Sequence, residues 1–158
     1  MQILDTAKIP PEKRHLMASL ADVDFTHVAK KAAYEYNLDF EELKNIGSEE
    51  LKKFYALRIL DDQSPVAIPV NLDPMVHVHV LFTKEYGEFC DTFFGGMFHH
   101  FPCTPDDANH MRWLGDRYRE TVTRYENTFG VRDTKWWPDP TEDNFTHICC
   151  GCSGGAGT

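Results

Sequence analysis

The stretch "TPDDANHMRWLGDRYRETVTRYENTFG", residues 104–130, constrains the fold of this chain more than any other. Its apolar residues Met111, Leu114, Tyr118, Val122, Tyr125 and Phe129 recur every three or four positions, the spacing of one face of an α-helix. The ends are marked as well. Thr104 suits the cap, Pro105 the first turn, Asp106 and Asp107 the positive end of the helix dipole, and Gly130 the stop.

Upstream segments carry the same period. "PEKRHLMASL" reads as a first helix. "DVDFTHVAKKAAYEYN" places Val28, Ala32 and Tyr36 on one face, with Lys30 and Lys31 away from it and Asn37 at its end. "DFEELKNIG" reads as a short helix with Phe40, Leu43 and Ile46 inward and Gly47 as its stop; Ser48 then caps "EELKKFYALRIL", whose Leu51, Phe54 and Tyr55 share a face. Residues 61–73 hold two prolines and no helical period, so a surface loop is expected there. The fold class is therefore mainly α: a compact single-domain bundle of about five to six helices. Residues 1–130 form the helical domain, and residues 131–158 an irregular tail containing Trp, Cys and Gly.

A chain of 158 residues fits one domain, and 42% apolar with 26% charged residues is ordinary for a globular protein. The net charge of −9, with basic residues scattered among acidic ones, argues against nucleic-acid binding through phosphates. The first residues contain no apolar stretch of signal-peptide length, and no apolar run approaches a membrane span. Five cysteines, an odd number with three crowded near the end, do not resemble a secreted disulfide framework. The expectation is a small soluble protein of the cytoplasm or another reducing compartment.

The region that carries chemistry is "MVHVHVLF", residues 75–82, followed by "GGMFHHFP". On a strand, His77 and His79 would share a face about 6–7 Å apart and could grip one ion. On a helix they point about 200° apart. The valines favour a strand, but Asp73-Pro74 is a good helix start. Thr83 can cap the next segment, "KEYGEFCDTFFG", in which Tyr86, Cys90 and Phe93 or Phe94 share a face before Gly95. The helix is the preferred reading.

The pattern Asp73-x-x-Val76-His77-x-His79, then Tyr86, Cys90, Gly95 and His99-His100-x-Pro102, resembles the glycine-rich domain-containing protein-like family. Its members carry Asp-x-x-Trp-His-x-His, a downstream Tyr and Cys, and a glycine before a histidine pair and proline. The resemblance extends to "EELKKFYAL" and "YENTFG", so it covers roughly residues 49–130, and it departs at Val76, where the family has Trp. It implies a mostly helical domain and a set of candidate positions, without a reaction.

Imidazoles and a thiolate are good ligands for zinc, iron or copper. His77, His79, Cys90, His99 and His100, with Asp73 nearby, could furnish three or four of them. Three ligands and an open water permit hydrolytic or redox chemistry; four make a structural clasp. Against this stands a polar, hydrogen-bonded core, because the histidines lie among Phe82, Phe89, Phe93, Phe94, Phe98 and Phe101. Adjacent His99 and His100 cannot easily both face inward. The end of the chain, "HICCGCSGGAGT", adds His147, Cys149, Cys150 and Cys152, which could bind a soft metal alone, fold back to complete the histidine site, or form a mobile end. In "KWWPDP", Trp136 and Trp137 either cover the core or anchor a protein partner. No nucleophile elbow, phosphate-cradling glycine loop or His-Glu-x-x-His is present. Two functions stay open: a small helical transition-metal protein, or a non-catalytic structural or interaction subunit of a larger assembly.

Overall fold

The computed structural model describes residues 3, 7, 9–101 and 106–141, together with the backbone of 102 and of 150–154. Pro10 and Pro11 open a single 3-10 turn, Pro11–Lys13, that leads into α1 (Arg14–Ala21), which buries Met17 and Leu20. Next, α2 (Thr26–Tyr36) buries Val28, Ala29 and Ala32, and it ends where Asn37 takes the left-handed conformation, φ 52°. Asparagine is one of the few residues other than glycine that enters this region at low cost.

The following helical run differs from the sequence expectation. Asp39 caps α3 (Phe40–Glu42) by accepting the Glu42 N–H at 2.7 Å. The chain then passes through a π-helical stretch, Leu43–Gly47, straight into α4 (Ser48–Leu60). Gly47 does not stop a helix: its φ and ψ are −55° and −41°, and Ser48 donates its hydroxyl to the Leu43 carbonyl instead of capping. The glycine serves packing. A Cβ there would lie 2.8 Å from the Met75 sulfur and 3.0 Å from Cη2 of Trp136. The helix α4 is the centre of the molecule, with Leu51, Phe54, Tyr55, Ala56, Leu57 and Ile59 all buried.

Two short helices follow, α5 (Asp73–Leu81) and α6 (Thr83–Phe94). The valine-rich histidine segment is thus a helix, with Pro74 in its first turn; Thr83 makes no capping hydrogen bond, and Gly95 ends α6 at φ 70°. The long helix α7 runs from Ala108 to Phe129. Its cap is Asp107, which accepts the N–H groups of Asn109 and His110, whereas Thr104 and Pro105 lie outside the described residues. Leu114, Tyr118, Val122 and Tyr125 are buried as their spacing requires.

To this mainly α domain the structure adds a three-stranded antiparallel sheet that periodicity did not announce: β1 (Val66–Ile68), β2 (Phe98–Pro102) and β3 (Cys150–Gly154), in the order β1-β3-β2. The expected surface loop at 61–73 therefore contains a buried strand. Pro65 and Pro69 bracket β1 rather than interrupt it, and the Ala67 N–H is met by the Thr121 hydroxyl of α7 at 3.0 Å.

Both tail tryptophans cover the core, Trp136 being 3% exposed and Trp137 fully buried. Trp137 donates its indole N–H to Glu50 at 2.8 Å; the same carboxylate receives Tyr125 at 2.8 Å and Lys53 at 2.7 Å. Tyr125, Trp137 and Lys53 thus satisfy the buried carboxylate of Glu50. Among the described residues no helix is long and apolar enough to cross a membrane.

Candidate metal centre

Asp73 and His77 are four residues apart at the start of α5, so their side chains lie one above the other on one helix face. A turn closed by Leu72 and Asp73 N–H bonds to the Pro69 carbonyl, 2.9 and 3.1 Å, aims that face toward β2. His100 comes from β2. In a strand neighbouring side chains alternate between faces, so His100 turns inward beside buried Phe98 while His99 is exposed.

The result is a group of three. One ligand atom from each of Asp73, His77 and His100 lies within 4.8 Å of the others. His77 Nδ1 is 3.4 Å from Asp73 Oδ2, His100 Nε2 is 3.6 Å from Asp73 Oδ1, and the two imidazoles meet edge-on with centroids 4.4 Å apart at 82°. These separations exceed good N–H···O distances of about 2.7–3.2 Å. The two contacts run to different oxygens of the Asp73 carboxylate, which lies between the two imidazoles. The Asp73 and His100 side chains are 7% and 8% exposed and that of His77 34%, so the group is enclosed on one side and open to solvent on the other. Burial, reinforced by neighbouring His77, pushes the His100 pKa down to about 4, so this imidazole is neutral with a lone pair to offer at physiological pH.

Tyr36 completes the rim, its hydroxyl 3.4 Å from His77 Nδ1. Nothing in the sequence pointed to it, because it reaches the site from the end of α2 only through the packing of α2 on α5.

The other candidates lie elsewhere. His79 faces away from His77, is fully buried, and sits 2.8 Å through Nδ1 from the Tyr55 hydroxyl. Phe25, Tyr86 and Phe89 present their rings at about right angles to it, with centroids 5.0–5.2 Å away. Burial, with a smaller effect from His27, holds its pKa at about 4. His79 therefore belongs to the polar, hydrogen-bonded core. Cys90 is a buried free thiol on α6 whose pKa is raised by desolvation, the mark of an inert core cysteine. His99 is exposed and on the opposite face of β2. His147 and Cys149 lie outside the described residues, and Cys150 and Cys152 enter only as backbone positions of β3.

A family model, UCP032817-like, matches residues 15–112, well over half of the 158-residue chain. The chain belongs to the UCP032817-like family. This corrects the resemblance to the glycine-rich domain-containing protein-like family. The match begins some 34 residues before the segment that carried the likeness, and Val76, which stands where that pattern has its tryptophan, is a fully buried core residue rather than a side chain lining the site. Asp73, His77 and His100 all fall within the matched segment. No curated protein and no solved structure matches the chain.

Proposed function

We propose that this protein binds one divalent transition ion, zinc, iron or copper, through Asp73, His77 and His100. The observation that carries the reading is the convergence of one potential ligand atom from each of Asp73, His77 and His100 to within 4.8 Å of one another. Two imidazoles and a carboxylate suit ions of borderline softness, and the solvent side at His77 supplies a way in. The polar-core reading is kept for His79 alone, where the Tyr55 hydrogen bond and the aromatic surround support it.

Elemental analysis of protein purified without a histidine tag tests this. The expected content is near one ion per chain, falling to background in His100→Ala and Asp73→Asn. Less than about 0.2 ion per chain after incubation with zinc, iron(II) or copper(II), unchanged in those variants, would refute it, because a preformed site of this kind fills.

A further inference from the structure

We propose that a cavity formed by α1, α4 and α6 binds a small carboxylate with an apolar body, and that Arg58 is the group that grips the carboxylate. This site shares no residue with the metal centre and stands independently of it.

Two basic residues of α4 are buried, Lys52 at 9% and Arg58 at 8% exposure. Lys52 has the partners that such a charge requires, the Glu49 carboxylate at 3.1 Å and the Ala21 carbonyl at 2.8 Å. Arg124, whose guanidinium reaches the same end of α4, has the Leu57 carbonyl at 2.7 Å and Asp61 at 3.6 Å. Arg58 differs. Among the described residues its guanidinium makes one hydrogen bond, from Nη1 to the Asp62 carbonyl; it forms no ion pair, and neither Nε nor Nη2 has a hydrogen-bond partner. A position in the last turn of α4 suits a cation, but that single carbonyl engages one of the five N–H donors a guanidinium carries. A buried guanidinium with this many uncommitted donors is suited to receive an anion.

The space beside it fits a small molecule. Arg58 lines a cavity of about 360 Å³, within the usual range of small-ligand pockets. Leu16 of α1, Ile59 of α4 and Phe93 of α6 give it apolar walls. The ring centroid of Phe98 lies 5.9 Å from the guanidinium carbon, a cation–π contact that holds the planar group in place. Charge narrows the class of ligand. Lys13 adds a second positive charge to the lining, and Asp62 and Asp91 add two negative ones. The Asp62 carboxylate is 62% exposed and turns to Gln63 and Lys13, 2.9 and 3.9 Å away, rather than to Arg58. A polyanion such as phosphate meets repulsion from both aspartates. A single carboxylate can take two parallel N–H bonds from Arg58 and lay its apolar body against Leu16, Ile59 and Phe93.

The test is an NMR titration of the isotope-labelled full chain with acetate, hexanoate and phenylacetate, read at the backbone amides and at the Arg58 Nε–H. Hexanoate or phenylacetate should bind saturably, with a Kd of about 1 mM or tighter, and should shift the amides of Leu16, Ile59 and Phe93 together with the Arg58 side chain. Acetate, which lacks the apolar body, and phenylacetamide, which lacks the charge, should each bind at least about tenfold more weakly, and inorganic phosphate should not compete. Arg58→Gln should lose the binding. Leu16→Trp, at a half-buried position, narrows the cavity without altering the guanidinium and should lose it as well, which keeps the test sound should Arg58→Gln fold poorly. No saturable shift with any of the three carboxylates below about 10 mM would overturn the inference. So would phenylacetamide or phosphate binding as tightly as the carboxylates, binding that survives in either variant, or shifts confined to the surroundings of Asp73, His77 and His100.

Discussion

Replacing Glu50 with alanine should destabilise the protein severely, and the structure gives the size of the effect. Glu50 is 5% exposed and accepts three hydrogen bonds, from Tyr125, Trp137 and Lys53. Lys53 is about a fifth exposed, keeps its 2.9 Å bond to the Tyr125 hydroxyl, and can turn toward water, so its share is small. Trp137 cannot turn, being fully buried, and its orphaned indole N–H alone costs about 1–3 kcal/mol. With the bond from Tyr125 lost as well, the sum is about 3–5 kcal/mol, the range found when one partner of a buried ionic cluster is removed. That is a large part of the about 5–15 kcal/mol that holds a domain of this size together. Urea unfolding followed by tryptophan fluorescence would show a lower midpoint with an unchanged slope, and Trp137→Phe should show roughly a third to a half of the shift. A loss below about 1 kcal/mol in Glu50→Ala would refute the view that this cluster anchors the tail to α4 and α7.

Other outcomes follow from the same structure. Gly47→Ala should lower stability by about 1–3 kcal/mol in a thermal melt despite the better helix propensity of alanine, because the added methyl meets Met75 and the ring of Trp136. Burial, joined by the Glu50 charge, raises the Tyr125 pKa, and burial raises that of Tyr118. The stability that these two neutral phenols contribute is complete below the ordinary tyrosine value of about 10 and is lost as pH rises from there through their folded values. An alkaline absorbance titration should show both ionising late, with the unfolding transition; early, reversible ionisation of all six tyrosines would contradict their burial. Cys90 should resist a disulfide reagent at neutral pH until urea opens the fold, since burial raises its pKa.

What the sequence disclosed follows a physical division. Helices α2, α5, α6 and α7 were legible because each is long enough for apolar spacing, or for an Asp-Pro or glycine boundary, to outweigh local ambiguity. That held even at "MVHVHVLF", where valines favoured a strand. The strands were not legible: β1 is three residues between prolines, and β3 lacks strand-forming residues, so both exist through partners far away in the chain. Gly47 misled because glycine serves close packing and helix termination equally well. At the site, helical geometry alone separated His77 from His79, and the four-residue spacing of Asp73 and His77 was visible. The choice of His100 over His99 needed the inner face of β2, and Tyr36 needed the docking of α2 on α5.

The division of the histidine pair is the most direct point of attack. Zinc affinity measured by chelator competition in His77→Ala and in His79→Gln separates the two, because the glutamine can keep a hydrogen bond to Tyr55 while offering no imidazole. The account predicts a loss of about a hundredfold or more in His77→Ala and a change within about threefold in His79→Gln. Equal losses in both, or a loss in His79→Gln alone, would contradict the assignment of the centre to Asp73, His77 and His100.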